Sequence, residues 1–245
     1  MSSFTLEKEL PSTRVNKQLV DSIESYLARR FSAITGTRDE AGPEVEAGRV
    51  TKITDELGIE SLSSIQEFPS SIFPDSTTSI EIEFTRPPPE SGMTSLRVAV
   101  HFHKERVHSR VRICCEGNNA KEFTAGIYQG ILQCLQTAPA RNGFFNPTPY
   151  CRGALGAIFF ALLLGQVAAL VYAPPGVALF LALVVLSHLF IWDIAPKMRP
   201  YTVFESDRAN RNLRAWDWAF KGFLGFIVFG TGLTFLRDYI ATVLN

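Results

Sequence analysis

The sequence predicts an α+β domain, built from an antiparallel sheet with helices on one face, followed by an all-α transmembrane region of two to three helices. Three observations indicate this fold class. Apolar and polar residues alternate through residues 79–85, 96–103 and 108–115, as in half-buried strands. Helical apolar periodicity precedes and follows these strands. The segment from Gly153 to Trp192 contains no Asp, Glu, Lys or Arg, which argues against a wholly water-soluble globular chain.

The two halves of the chain differ in charge. The 245 residues carry 24 Lys and Arg against 24 Asp and Glu, so the formal net charge is zero. Residues 1–150 hold 16 basic and 19 acidic residues, whereas residues 151–245 hold 8 and 5. Because the first part is slightly acidic and has no basic-aromatic module, we expect no nucleic-acid partner.

Residues 1–140 are the predicted cytosolic α+β domain, and residues 141–152 are the predicted linker that follows it. Ser12 is a suitable N-cap for a first helix, because the apolar positions after it follow the 3.6-residue period. Residues 50–73 are ambiguous between one and two strands, since a turn and a proline interrupt them. The three alternating strands come next.

A second helix follows the strands. The segment from Gly117 to Asn119 predicts its start, and its apolar stripe continues to about Gln136. Gly126 and Gly130 lie one turn apart in this helix, which predicts a close approach to the sheet. With helices before and after an antiparallel sheet, we expect both helices to cover its apolar face.

The cysteines lack the spacing of a metal site or a redox pair. The chain up to Arg30 is rich in charge and contains no apolar core of a secretory leader. We therefore expect reduced, structural thiols in a cytosolic domain, with no metal and no cofactor. The thiols are Cys114, Cys115, Cys134 and Cys151.

The polar face of the predicted sheet is the candidate ligand site. In a meander, Glu81 and Glu83 lie beside the basic positions of the next two strands. Cross-strand pairing of acids and bases explains this pattern without any ligand. A binding site for a small anionic ligand is the alternative, and a metal site that uses His101 and His103 would need a third ligand that the sequence does not offer. The candidate anion-binding residues are Arg97, His101, His103, Arg110 and Arg112.

Residues 153–194 are the predicted transmembrane helical hairpin. A bilayer core requires about 20 apolar residues per helix, and the segments 153–172 and 176–194 each supply this length. The intervening Pro174 and Pro175 break the helix, because proline lacks the N–H donor. The alternative is a buried hairpin in a soluble core, which would be unusual at this length.

Residues 195–219 are the predicted basic cytosolic loop or interfacial helix, and residues 220–240 the predicted third transmembrane helix. Only the part from Gly222 to Leu236 is free of charge. That part is short for a full span, so a helix that lies in the interface or re-enters is the alternative. Arginines on one helix face would favour anionic lipid by ~1 kcal/mol each. The expected membrane-interface residues are Trp192, Arg208, Arg211, Arg214, Trp216 and Trp218.

Basic residues near the predicted spans indicate the orientation. Eight of them lie before the first span or between the second span and the charge-free part of the third, and Arg237 alone follows that part. Under the positive-inside rule, the domain 1–140 and the loop 195–219 are cytoplasmic. We expect a multi-pass protein of the cell membrane, plasma or inner.

Small residues recur every four positions in the first predicted span. Such a stripe lets another helix approach closely in lipid. It fits packing against the second span of the same chain or self-association, so a homo-oligomer is an expected partner besides the lipid bilayer. The expected helix-packing residues are Gly153, Ala157, Ala161, Gly165, Ala169, Gly222 and Gly225.

The sequence contains no motif of a hydrolase, kinase, nucleotide-binding enzyme or metalloprotease, so we expect no enzymatic activity. The favoured function is an integral membrane protein whose cytosolic sensing or interaction domain is coupled to the membrane helices. It would act as a membrane-perturbing effector by oligomerisation. One alternative is a membrane-anchored scaffold that recruits a cytosolic partner. Another is a membrane-tethered enzyme with a site on the sheet that no motif marks.

Overall fold

The computed structural model describes residues 3–35, 48–86, 95–117, 119–170, 197, 199–219, 221–222 and 225. The chain divides into two compact units, Met1–Ser206 and Asp207–Asn245. The strands of the first unit are β1 (Ser3–Glu9), β2 (Arg14–Val15), β3 (Gly48–Thr54), β4 (Ile59–Leu62), β5 (Ser79–Arg86), β6 (Ser95–His103), β7 (Arg110–Glu116) and β8 (Val203–Phe204). Its helices are α1 (Lys17–Thr35), α2 (Ala120–Leu135) and α3 (Pro149–Leu170), with short 3-10 turns at Ile65–Glu67, Arg106–His108 and Arg141–Phe145. In the second unit, residues 207–219 form a helix, α4.

Six strands form one antiparallel sheet in the order β1-β7-β6-β5-β3-β4. The three strands predicted from alternation are β5, β6 and β7, and they are neighbours in sequence order, so the predicted meander is confirmed. Ile82 pairs with Val100 and Val100 pairs with Val111, and all three side chains are fully buried. This row belongs to the apolar face of the sheet.

The hydrophobic core joins that face to α1 and α2. Ile23 of α1 and Ile131 of α2 are fully buried in the same cluster as Phe84 and Phe102 of the sheet. Burial of each such side chain contributes about 1.5–3 kcal/mol relative to exposure. The predicted α+β architecture, an antiparallel sheet with helices, is confirmed for this N-terminal region.

The first helix begins later than the sequence predicts. α1 starts at Lys17, and Asn16 Oδ1 accepts a hydrogen bond from the Leu19 N–H at 2.8 Å. The prediction that Ser12 is the N-cap is therefore wrong. Ser12 Oγ instead donates to the carbonyl oxygen of Tyr201 at 2.7 Å, a contact between distant parts of the chain that local periodicity does not report.

The close neighbour of Gly130 is α1 rather than the sheet. A Cβ added at Gly130 would lie 2.0 Å from the Tyr26 hydroxyl oxygen, whereas one added at Gly126 would meet no atom of the described residues within 4 Å. The Tyr26 hydroxyl donates to the carbonyl oxygen of Gly126 at 3.1 Å. Only Gly130 is therefore sterically required for the packing of α2 on α1.

Glu24 of α1 is a fully buried carboxylate with several donors. It pairs with Arg49, and it accepts hydrogen bonds from the Ile65 N–H at 3.1 Å and from Ser64 Oγ at 3.2 Å. Thr51 Oγ1 also donates to it. These contacts offset the cost of burying a charge, and they join α1 to β3 and to the turn Ile65–Glu67.

Candidate functional site

Residues 199–206, which we call the return segment, lie in the first unit and complete its core. The sequence groups them with the loop 195–219, but Tyr201, Thr202, Val203 and Phe204 are all buried. β8 pairs in parallel with β2, and the N–H groups of Val203 and Glu205 donate to carbonyl oxygens in and beside β2 at 3.0 and 2.8 Å. The chain therefore comes back to the α+β domain after its apolar stretch.

Two asparagines join the return segment to the chain that leaves the domain. Asn142 Nδ2 donates to the carbonyl oxygen of Pro200 at 2.9 Å. Asn146 Nδ2 donates to the carbonyl oxygen of Arg199 at 2.9 Å. We call these four residues the neck. The neck holds the two ends of the intervening apolar chain side by side.

Tyr201 connects the neck to the sheet. Its hydroxyl donates to the carbonyl oxygen of Leu10 at 2.7 Å and lies 3.1 Å from a carboxylate oxygen of Glu9. Burial, reinforced by the negative charge of Glu9, raises the pKa of Tyr201 to about 12, so the hydroxyl stays a donor at physiological pH. The guanidinium of Arg106 lies 5.4 Å from the Tyr201 ring centroid and donates to the carbonyl oxygen of Asn146 at 3.1 Å.

The helix α3, which leaves the neck, exposes large apolar side chains. Ile158 is 58%, Phe160 63% and Leu164 58% exposed. No side chain of α3 is buried within the part of that helix whose side chains the structure describes. Since an apolar helix ordinarily packs into a core or into lipid, this face is available for an apolar environment.

The structure places a helix over most of the first predicted span, 153–172. Within the described ranges, however, no helix has both the length and the hydrophobicity that a membrane crossing requires. The second predicted span, 176–194 with Trp192, lies outside the described residues. So does most of the third predicted span, 220–240.

The predicted stripe of small residues runs along α3. Gly153, Ala157 and Ala161 are exposed. A Cβ added at Gly153 would meet no described atom within 4 Å, and the same holds for Gly222 and Gly225. The side chains at positions 165 and 169 lie outside the described part of the structure. The exposed part of the stripe leaves room for another helix.

The predicted interface residues of the second unit lie on α4. Arg208, Arg211, Arg214 and Trp218 are exposed, with Trp218 at 80%. Trp216, in contrast, is buried. Within 195–219, residues 207–219 are helical, and of the two tryptophans in this helix only Trp218 faces solvent.

The predicted anion-binding residues share the polar face of the sheet. Glu81 pairs laterally with His101, and His101 with Arg110, as expected for the meander. Arg97 forms an ion pair with Glu83 at 2.6 Å, and Arg110 forms one with a glutamate of β1 at 2.9 Å. Cross-strand pairing thus accounts for both of these arginines.

The remaining charges of this face follow the same pattern. Lys52 of β3 lies 3.4 Å from a carboxylate oxygen of Glu81 and 3.5 Å from one of Glu83. The negative charge of Glu81 is the main cause of the raised pKa of Lys52. Burial acts to raise the pKa of Glu83, but the hydrogen bond and charge of Arg97, with those of Lys52, lower it. Arg112 is exposed, at the register of Ala99 and Glu7.

Three histidines cluster at the end of β6 and the turn Arg106–His108. The rings of His103 and His108 have centroids 4.9 Å apart, and those of His101 and His103 5.9 Å apart. His103 Nδ1 accepts a hydrogen bond from the Glu105 N–H at 2.9 Å, and His101 Nδ1 lies 2.6 Å from the carbonyl oxygen of His108. Burial, then the charge of His108, lowers the pKa of His103.

Metal binding finds no further support on this face. Both histidines that share the face use Nδ1 for backbone contacts, and across the described ranges no group of three or more His, Cys, Asp or Glu residues is arranged to hold a metal ion. All four cysteines are free thiols, and burial raises the pKa of Cys115 and Cys134. The thiols of Cys115 and Cys134 are therefore poor nucleophiles.

Sequence reasoning missed the four residues of the neck and also Tyr201. Their hydrogen-bond partners across the domain lie between 53 and 192 residues away along the chain, so no local pattern marks them. The burial of Tyr201, Val203 and Phe204 follows from aromatic and β-branched character, which is visible in the sequence but has no period over so short a segment.

No protein-family model, no curated protein and no solved structure matches this chain.

Proposed function

We propose that this chain is a membrane protein whose α+β domain is held at the bilayer by an apolar helical hairpin with both ends fixed to that domain. The neck is the single observation that carries the proposal. Asn142 and Asn146 bind the carbonyl oxygens of residues 200 and 199, so the chain leaves and re-enters the domain at one place. Between these points lies the uncharged stretch from Gly153 to Trp192.

Exposure of α3 supports insertion into lipid. In water, the exposed parts of Ile158, Phe160 and Leu164 forgo about 1–2 kcal/mol of hydrophobic stabilisation for each side chain. Lipid removes that cost without requiring a protein partner for each residue. The uncharged stretch continues beyond α3 to Trp192, and its residues 171–192 lie outside the described part of the chain.

The neck also supports an even number of passes. A chain whose two ends are joined by hydrogen bonds starts and ends on one side of the bilayer, so a hairpin fits and a single pass does not. The break at Pro174 and Pro175 divides the stretch into two segments of nearly equal length. Basic residues lie near both ends of the uncharged stretch. We therefore propose that the domain lies on the cytoplasmic side of the cell membrane.

Coupling between domain and hairpin is the proposed mode of action. The return segment is part of the domain core, and Tyr201 hydrogen-bonds to the end of β1. A ligand or partner that shifts this sheet edge would therefore shift the base of the hairpin. We propose that the domain acts as a sensing or interaction module without a catalytic step. The exposed stripe of Gly153, Ala157 and Ala161 provides the contact for self-association.

A second candidate function is a membrane-anchored scaffold. It is favoured by one observation at the sheet edge opposite β1. Ile59, the first residue of the edge strand β4, is 67% exposed, and Leu57, two residues before it, is 96% exposed. Apolar side chains at an open strand edge are typical of a surface that recruits another protein.

Membrane fractionation tests the proposal. The full chain should remain with the membrane pellet after an alkaline carbonate wash, and purified protein should float with phosphatidylcholine vesicles. Substituting both Phe160→Arg and Leu164→Arg should weaken flotation, whereas Leu57→Arg and Ile59→Arg should leave it unchanged. Release of the intact wild-type chain into the supernatant as a monodisperse species would refute the proposal.

Replacement of residues 153–192 by an unrelated membrane anchor separates the two functions. A scaffold keeps its cytosolic partner after the replacement, because only its location depends on the hairpin. A coupled effector loses its activity. In a scaffold, Leu57→Arg with Ile59→Arg should have the opposite effect to the anchor replacement. The protein should lose its cytosolic partner and keep its membrane insertion.

A further inference from the structure

The helix α4 presents a basic face with an exposed tryptophan in its centre. At 100° per residue, Arg211, Trp218 and Arg214 fall within about 60° of one another around the helix axis. All three are exposed, and Lys221, one turn beyond, is exposed too. We call these four residues the basic face of α4. Trp216, which is buried, projects from the other side of the helix.

We infer that the basic face of α4 is a contact surface for the headgroups of anionic phospholipids. This inference rests on the proposed membrane function and names the lipid class that the second unit prefers. Basic side chains gain about 1 kcal/mol each beside an anionic membrane surface, which corresponds to about 5-fold in affinity. Tryptophan is enriched at the same depth, because its ring is apolar and its N–H is a donor.

The acidic residues of the segment leave the face basic. Asp207 begins α4, one turn before Arg211, at the helix N-terminus where a negative charge is stabilised by the helix dipole. Asp217 lies about 60° beyond Arg214, at the border of the face. The segment 207–221 has four basic and two acidic residues. Asp207 falls on the same side of the helix axis as Trp218 but about three turns away, so the charged residues of this face within two turns of Trp218 are basic.

Continuity along the chain distinguishes lipid from other anionic partners. α4 is followed directly by the uncharged segment from Gly222 to Leu236. A nucleic acid or an acidic protein would also bind arginines, but neither requires an apolar segment next to the binding face. A bilayer provides an anionic surface and an apolar interior at adjacent depths.

Quenching of Trp218 fluorescence by brominated lipid tests the inference. The full chain, with Trp192→Phe and Trp216→Phe, is reconstituted into vesicles of phosphatidylcholine and phosphatidylglycerol in which one or the other lipid carries bromine. We expect stronger quenching by brominated phosphatidylglycerol at equal mole fraction. Arg211→Gln with Arg214→Gln should strongly weaken the preference, because each arginine contributes about 5-fold and only Lys221 then remains as a basic residue of the face.

A matched pair, Lys8→Gln with Lys121→Gln, removes the same charge from exposed positions of the α+β domain and should keep the preference. Equal quenching of Trp218 by the two brominated lipids, in the protein that keeps Arg211 and Arg214, would overturn the inference. A preference that the arginine substitutions leave unchanged would overturn it too. Binding of an RNA or DNA oligonucleotide to the vesicle-bound protein that depends on Arg211 and Arg214 would assign the face to nucleic acid instead.

The proposed function fails in a different way from this inference. If the chain does not float with vesicles of phosphatidylcholine alone, the hairpin does not insert and the proposed function is wrong. If the chain floats with these vesicles but shows no preference for phosphatidylglycerol, the proposed insertion of the hairpin is still supported. Only the assignment of α4 to anionic lipid is then wrong.

Discussion

Asn146 and Arg199, 53 residues apart in sequence, are joined by a 2.9 Å hydrogen bond from the asparagine side-chain amide to the arginine carbonyl oxygen. One helical turn earlier in the chain, Asn142 makes the equivalent bond to Pro200. Together they close the chain on itself around the uncharged stretch. Asn142, Asn146, Arg199 and Pro200 are therefore held to one another and are not part of a free linker.

Removal of the neck asparagines should loosen the return segment. We expect Asn142→Ala with Asn146→Ala to speed amide hydrogen exchange at Val203 and Glu205, whose N–H groups bond to the chain around β2. Loss of each hydrogen bond to these part-buried carbonyl oxygens costs about 0.5–1.5 kcal/mol. Asn212→Ala, in the second unit, is the control. Unchanged exchange in the double variant would show that the neck does not hold the segment.

Gly130→Ala should destabilise the protein, because the new methyl group overlaps the Tyr26 ring. We expect the free energy of unfolding to fall by about 1–3 kcal/mol. Gly126→Ala is the matched control in the same helix, and it should raise stability by up to about 1 kcal/mol, since alanine favours the helix and meets nothing. Denaturant unfolding of both variants decides the point, and equal effects would refute the steric explanation.

Glu24→Ala should be among the most destabilising substitutions. It leaves Arg49 and the Ile65 N–H without their buried acceptor, and we expect a loss of about 3–5 kcal/mol. Glu56→Gln, on an exposed turn, should change stability by less than about 0.5 kcal/mol. A small effect of Glu24→Ala in thermal unfolding would mean that the carboxylate is not the junction between α1 and β3.

Stability should depend on the protonation of His103. Its pKa in the folded protein is lowered from 6.5, so the unfolded chain binds the proton more tightly. The contribution of this neutral imidazole is fully present above pH 6.5 and is lost as pH falls through the lower, folded pKa. Protonation would also break the hydrogen bond that Nδ1 accepts from the Glu105 N–H.

His103→Gln tests this dependence, because glutamine does not titrate. The thermal unfolding temperatures of the wild type and the variant, measured from pH 7 to pH 5, should converge as the pH falls. The reason is that the wild type loses the contribution of the neutral imidazole to its stability. Parallel curves would show that the pH dependence has another origin. The groups that face His103 are His101, Glu105 and His108, so each is kept unchanged.

Alternation was sufficient to predict the centre of the sheet. Strands β5, β6 and β7 each bury every second side chain, and nearly all of these are large and apolar. β1 was missed because its inward residues, Phe4 and Leu6, are only partly buried and its other positions are mostly charged or polar. An edge strand of this kind has a weak period, although it pairs with β7 over its full length.

The candidate site was predicted less well than the fold. The lateral order of Glu81, His101 and Arg110 follows from alternation once the meander is assumed. The neck does not follow, because an asparagine side chain that binds a distant carbonyl oxygen has no signature in the sequence. The burial of the return segment does not follow either, since it depends on contacts with β2, which lies near the start of the chain.

Labelling at Phe160 tests the membrane account most directly. The structure leaves this side chain 63% exposed, so a thiol placed there is reactive in water and protected in lipid. In native membranes, in a background without the four natural cysteines, we expect Phe160→Cys to resist a membrane-impermeant maleimide and Arg152→Cys to react on the cytoplasmic side. Equal labelling of the two positions before detergent is added would contradict insertion of the hairpin.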